Sequence, residues 1–376
     1  MNEASERIKA VTQAFAEKAD RITPLAPLPR PIYFVSSDVA NWPELRSGLP
    51  DDLEPSFRKC SEGVHIWAVQ SVIYLRQRGL DVRLSRKLIN DEICVVPYHD
   101  LFARHLPFRS FVVACRLDSA RPAICEMQTV LSQSCVVDPN QDFFMPQWVN
   151  PVIKRRDPAR GGQAKVLSFK GTLNNLAWPF RRSDFAERLQ AHGLRFESSP
   201  DLPKAQLIED WCDHRNVDLI LAVRNLTEAD YKVKPPVKLL NSWSAGVPAL
   251  LGPEPSYRDL YRDDLDFVEV QTPEDVVQAC IALARDPARY VAMVERGYQR
   301  AEAFTPDAIA TAWHTFLGGP VMERFERWRR GTTPARLALG SARFGLRLLQ
   351  HRRNLKTYLV ERDRGSRFFG EEPKAG

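Results

Sequence analysis

No stretch of this 376-residue chain stays apolar for the roughly 18 to 20 residues that a membrane-spanning helix needs. The opening MNEASERIKAVTQAFAEKADR is amphipathic where an export signal would be apolar. An integral membrane protein and an exported precursor are therefore not expected. Cysteines at metal-ligand spacing are also missing: Cys60, Cys94, Cys115, Cys125, Cys135, Cys212 and Cys280 are odd in number and scattered, mostly within apolar stretches such as ICVVP and FVVACR. They are expected as reduced, buried thiols of a cytoplasmic protein. No His-Glu-x-x-His, paired Cys-x-x-Cys or Walker-type Gly-Lys-Ser/Thr occurs.

What is present is an ordinary globular composition, 44% hydrophobic and 27% charged, with enough material for two cores. The net charge of +6 is unevenly placed: Met322 to Arg367 holds thirteen Lys or Arg against four Asp or Glu, a net of +9. The rest is close to neutral, so no nucleic-acid partner is expected along the body of the protein.

The order of elements suggests α/β architecture. An N-terminal helix and the proline-dense ITPLAPLPRP form a lead-in over residues 1–31. Apolar runs of strand type follow in IYFVSSD, DVRLS, EICVVPYHD and SFVVACRLD, with the helix-periodic GVHIWAVQSVIYLRQRG among them. This predicts a first Rossmann-like domain over 32–150. Residues 138–163, rich in Pro, Asp, Arg and Gly, are expected as an interdomain linker. A second alternation, through AKVLSFKG, SDFAERLQAHG, LRFES, DLILAVR, VKLLNSWSAG and VPALLG to helices beyond TPEDVV, predicts a second Rossmann-like domain over 164–318. The basic tail occupies 319–376.

In doubly wound sheets ligands sit outside the carboxyl ends of the strands. There the second domain offers Gly171, Thr172 and Asn174, which can approach or hydrogen-bond a phosphate or hydroxyl, and Arg224, suited to clamping an anion. Lys234 and Lys238 flank Pro235-Pro236 at the start of a helix, a place for a diphosphate. The first domain offers Asp38, His99 with Asp100, and Arg116 with Asp118; of these, Asp118 and His99 are the candidates to orient or deprotonate an acceptor hydroxyl.

The stretch 234–257, with its helix running into Ala245-Gly246-Val247-Pro248 and the loop Gly252-Pro253-Glu254, resembles the signature of group-1 (GT4-like) glycosyltransferases of the GT-B fold. EGVHIWAVQSVIYLRQRGLDV is similar to that family's first glycine-rich loop and helix, FKGTLNN to its opening second-domain loop, and DPARY through DAIATAW to its closing helices. The resemblance implies two doubly wound domains facing across a cleft, and transfer of a sugar from a nucleotide-sugar co-substrate to a glycan or lipid-linked acceptor, with no metal or other cofactor. It puts Gly171, Thr172, Arg224, Lys234, Lys238, Asn241 and Glu254 on the donor side and Gly63, His65 and Arg116 on the acceptor side.

The family's two glutamates, counted back from Gly246, fall on Val233 and Asn241, so only an amide is left for a ribose hydroxyl. A GT-B-type sugar-nucleotide epimerase and a non-catalytic binding protein stay open as alternatives. Asp264-Leu265-Asp266 has the Asp-x-Asp form of metal-dependent sugar transferases, but within YRDDLDF it is read as a surface turn. Arginines interleaved with Trp328, Phe344, Leu346, Leu348, Leu349 and Leu359 suit either a helix lying on an anionic membrane surface, which would make the protein cytoplasmic and peripheral to the membrane, or a helix packed back on the protein.

Overall fold

The computed structural model describes residues 3–200, 203–330 and 333–372. The short apolar runs form parallel strands, because parallel sheets are buried on both faces and favour such runs over alternation. The first sheet comprises β1 (Ile32–Val35), β2 (Val82–Ser85), β3 (Ile93–Pro97), β4 (Phe111–Cys115), β5 (Met127–Val130) and β6 (Asp142–Phe144), in the order β2-β1-β3-β4-β5-β6. The second comprises β7 (Val166–Phe169), β8 (Arg195–Ser198), β9 (Leu219–Ala222), β10 (Ala249–Leu251) and β11 (Val268–Glu269), in the order β11-β10-β9-β7-β8. Every pairing within both sheets is parallel. Both sheets start in the middle, step to one side and then grow to the other, so their switch points lie between β1 and β3 and between β7 and β9.

The expected linker needs correction. Residues 138–163 contain β6, and β5 precedes it without an apolar run to announce it. Asp142 explains how so polar an edge strand holds: its buried carboxylate accepts from the backbone amides of Val137 and Asp138 (both 2.8 Å), from Arg121 at 2.7 Å and from Gln128 at 2.6 Å. Side-chain hydrogen bonds replace hydrophobic pattern there.

Helix starts follow local chemistry. Thr272, Asp286 and Thr305 each accept a backbone N–H in the first turn, and each precedes a proline at the first helical position, where its missing N–H is not needed. The helix Val237–Ala245 ends on Gly246 at φ +70°, against which the Tyr298 hydroxyl packs so closely that no side chain fits.

Two segments cross the expected boundaries. The N-terminal helix Glu3–Ala19 docks on the second domain: Arg7 pairs with Glu295 at 2.8 Å, and the Phe15 and Tyr298 rings lie 4.9 Å apart. The expected boundary at 318 falls inside a helical run that continues from Pro306–Phe316 through a π-type turn at Leu317–Val321 to Met322–Trp328. That run returns to the first domain, where Trp313 meets Phe34 and Trp67, and Phe325 meets Phe111.

The C-terminal helix Thr333–Arg364 packs on the first domain. No α-helix spans residues 86–92, 98–110, 116–126 or 131–141, leaving one sheet face short of cover. Phe344 and Leu348 pack there against the cluster of Val96, Val112, Ala114 and Ile124. Arg347 pairs with Glu126, and Asn354 donates to the Arg121 carbonyl at 2.9 Å. Beyond the helix, Phe368 and Phe369 donate backbone N–H groups to Leu226 and Asn225 of the second domain.

Candidate functional site

The second domain's switch point gathers several of the expected donor residues. Gly171 follows β7, and its amide donates to Ser199 Oγ at 3.1 Å. A Cβ there would lie 3.1 Å from the Phe169 ring and 3.4 Å from Lys238 Nζ, so the close approach favours glycine. Lys238 stands in the first turn of Val237–Ala245; its ammonium donates to the Lys170 carbonyl and lies 5.6 Å from the Trp211 ring centre. Burial, followed by the charge of Arg224, pulls its pKa down to about 8. A half-buried cation at the start of a helix is an arrangement that can hold an anion. Thr172 and Asn174 line an adjoining cavity of about 260 Å³ with Leu173, Ser199 and Leu207.

Arg224 needs a different account from the free phosphate clamp expected. Its Nε donates to Glu254 Oε1 at 3.0 Å and its NH2 group to the Tyr257 hydroxyl at 3.2 Å. Burial opposes the guanidinium charge, but Tyr257 and Glu254 together hold its pKa above the ordinary value. The role of Arg224 is to fix Glu254 at the carboxyl end of β10, where Glu254 Oε2 has no hydrogen-bond partner among the described residues. Asn241 also differs from its expected role, because its side-chain oxygen accepts from the Asn150 amide at 3.3 Å. Val233 is buried, so neither position where the family has glutamate offers a free carboxylate.

Across the cleft, the loop after β4 delivers Asp118. Arg116 folds back to donate to the Ser119 carbonyl at 3.0 Å, and Leu117 adopts φ +57°. Arg116 is thus a support for the loop, and burial lowers its pKa. Asp118 Oδ2 then meets Lys234 Nζ at 2.7 Å, joining the two domains. Lys234 is engaged by a carboxylate and not open to solvent as a second free lysine. The Tyr358 hydroxyl of the C-terminal helix donates to Asp230 at 2.7 Å and lies 3.1 Å from the Asp118 carbonyl, so the tail reaches the same junction.

His65 Nε2 lies 3.1 Å from Asp38 Oδ2, and its ring packs edge-on to Trp42. Gly63, two residues earlier, faces Leu117. These residues lie between β1 and β2, on the first domain's side of the cleft. His99 does not join Asp118 as a catalytic pair: it is exposed, its ring meets that of Tyr98, and it makes no hydrogen bond to Asp118 among the described residues. The neighbouring Asp100 is buried and accepts the Ser37 amide at 3.2 Å, tying the ends of β1 and β3 together.

Asp264 and Asp266 separate in role. Asp264 pairs with Arg289 at the surface, whereas Asp266 is buried and bound to Arg296 at 3.0 Å, so it is not the surface turn expected. Among the described residues no group of three or more His, Cys, Asp or Glu is arranged to hold a metal ion. No helix among them is long and apolar enough to cross a membrane. Sequence reasoning passed over Lys170, Ser199, Tyr257 and Tyr358; only Lys170, beside Gly171 at a strand end, carried a local signal.

Residues 160–315 match a family model described as glycosyl transferase-like. The fold is similar to that of the sucrose-phosphate synthase from Thermosynechococcus elongatus, at 13% identity and a TM-score of 0.50, covering 78% of this chain and 100% of that one. A weaker likeness is to the pneumococcal O-GlcNAc transferase GtfA in complex with UDP and GlcNAc, at 10% identity and TM-score 0.42 over 68% of this chain; this chain spans only 60% of its length. Another is to a Thermobaculum terrenum O-GlcNAc transferase mutant, at 12% identity and TM-score 0.44 over 87% of this chain and 76% of that one. No curated protein matches the sequence. Two doubly wound domains facing across a cleft make the architecture GT-B. The match confines the glycosyl transferase-like assignment to the second domain.

Proposed function

We propose that this protein is a glycosyltransferase that moves a sugar from a nucleotide-sugar donor to a glycan or lipid-linked acceptor, without a metal. The observation that carries the reading is Lys238, a half-buried cation beside Gly171 at the switch point of the second sheet. In this reading the donor diphosphate lies against Gly171, Thr172 and the amides of the Val237–Ala245 helix, and lysine charge and helix dipole take the place of a metal. The cavity beside Thr172 and Ser199 suits the nucleoside.

The Asp118–Lys234 pair gives the reading its chemistry. A donor phosphate competes for Lys234, which frees Asp118 to accept the proton of the acceptor hydroxyl. That oxygen bonds to the anomeric carbon as the nucleoside diphosphate leaves, its added negative charge meeting Lys234 and Lys238. The working place is the cytoplasm, with the basic tail able to attract the protein to an anionic membrane.

A second reading, a nucleotide-binding protein without turnover, is favoured by buried Val233 and the engaged Asn241. One experiment separates the two. Thermal shifts against UDP, GDP, ADP, CMP and dTDP identify the base, since a hundredfold excess over Kd adds about 2.7 kcal/mol of stability. The matching nucleotide-sugars are then assayed for release of the nucleotide. Release stopped by Asp118→Asn with nucleotide binding retained supports transfer; binding without release supports the second reading, and no shift with any nucleotide refutes both.

A further inference from the structure

We propose that a cavity beneath the C-terminal helix binds a phosphate-headed amphiphile, an alkyl chain ending in a phosphate. The cavity holds about 320 Å³ and lies between the Thr333–Arg364 helix and the amino-terminal ends of β4 and β5. The sugar-transfer site sits at the carboxyl ends of the strands, so this is a different place and does not depend on the reading of that site. Phe108, Val112, Ile124 and Phe344 give the cavity apolar walls. Arg327, Arg330, Arg343 and Arg347 stand around it, and among the described residues Glu126 is the only carboxylate in its lining.

Glu126 is already bound to Arg347. Arg327 pairs at 3.1 Å with Glu323, a contact exposed on both sides and therefore weak. Arg330 and Arg343 make no ion pair among the described residues. An apolar chamber with an excess of guanidinium at its edge matches a ligand with an apolar body and a compact anionic head. Phosphate suits that head because its oxygens take two guanidinium groups in paired hydrogen bonds.

The surface continues the pattern. Leu339, half exposed, lines the cavity, and Leu346 and Leu349, at 73% and 65% exposure, stand beyond it on the same helix. A chain longer than the cavity therefore meets further apolar surface on leaving it. Such a ligand has two sources, a soluble amphiphile or a lipid drawn from a bilayer, and the chemistry of recognition is common to both.

The test uses the full-length protein and two variants whose thermal melts verify that they are folded. Ala335→Trp fills the cavity from an exposed lining position, and the double variant Arg330→Ala/Arg343→Ala removes the unpaired charge. Calorimetry with octyl, decyl and dodecyl phosphate below their micelle concentrations should show affinity rising about fourfold per methylene until the cavity is full. The double variant should bind dodecyl phosphate at least tenfold more weakly, and Ala335→Trp should not bind it. Inorganic phosphate as good a ligand as dodecyl phosphate, or Ala335→Trp binding like the parent, would overturn the proposal. Phosphatidic acid vesicles identify the source: binding lost in both variants points to a bilayer lipid, and no vesicle binding beside intact dodecyl phosphate binding points to a soluble amphiphile. Vesicle binding shared equally by the parent and both variants would mean flat adsorption and would overturn the cavity assignment.

Discussion

Lys238→Met tests the anion site through its cost to the unliganded protein. With Lys238 at a pKa of about 8 in the folded chain and 10.5 as the ordinary value, the unfolded state binds the extra proton between those limits. Stability therefore rises with pH over that window. Below pH 8 the lysine is charged in both states and the desolvation cost is fully present; above about 10.5 it is charged in neither. Between pH 7 and pH 9.5 the linkage amounts to about 2 kcal/mol in favour of the folded protein. Urea unfolding at the two pH values measures it, and other titrating groups cancel when parent and Lys238→Met are compared.

The parent should gain about 2 kcal/mol relative to the variant as pH rises. Equal pH dependence in the two proteins would refute a desolvated Lys238. The functional counterpart is a proton balance: a diphosphate beside the amine restores its charge, so nucleotide binding at pH 8.5 should take up a proton. Calorimetry in buffers of different ionisation enthalpy reads that uptake directly, and it should vanish in Lys238→Met. Binding that is as tight in the variant, with the same proton balance, would move the phosphate elsewhere.

Three further outcomes follow from contacts elsewhere. Asp218, fully buried, accepts from Arg156 at 2.8 Å and Arg160 at 2.7 Å; burial pushes its pKa up but these arginines and two backbone amides hold it below the ordinary range. Asp218→Asn should cost about 3 to 5 kcal/mol in urea unfolding, and the parent's Asp218-linked stability should be present above about pH 4 and fade as acid reaches the folded pKa; a loss under about 1 kcal/mol would contradict the buried cluster. For Asp118 and Lys234, a double-mutant cycle should give a coupling below about 1 kcal/mol because the pair is partly solvated, while Asp118→Asn should widen the cleft by small-angle scattering; an unchanged scattering profile would remove the pair as a closing contact. Truncation after Arg330 should uncover Val112, Ala114 and Ile124 and raise binding of a hydrophobic dye, whereas a truncated protein as stable and dye-inert as the parent would deny the helix its packing role.

Those contacts also mark which parts of the molecule a linear reading reaches. Thr-Pro and Asp-Pro at residues 272–273, 286–287 and 305–306 announce helix starts because a cap acts within one turn. Gly171 and Lys238 were legible as a pair for a different reason: strand ends at a switch point collect ligands whatever the intervening loops do. Arg224 was misread because its partner Glu254 lies thirty residues away on a neighbouring strand end, and no spacing rule foretells a neutralised charge. β6 escaped because Asp142 holds it through polar bonds, so the apolar run used to find strands was absent.

The tail shows the limit of charge as a guide. Its net of +9 sets the sign of the field, but the site depends on which arginines the fold neutralises. Arg347 is spent on Glu126, and Arg362 on Asp363 beside it. Phe344 and Leu348 turn one face of the helix inward, and of the arginines at the cavity's edge Arg347 is neutralised by Glu126 while Arg330 and Arg343 have no ion pair among the described residues. Packing therefore decides where the positive charge remains available. Of the two expected uses of the tail, the structure shows the cover for the protein, through Phe344 and Leu348 against the first sheet.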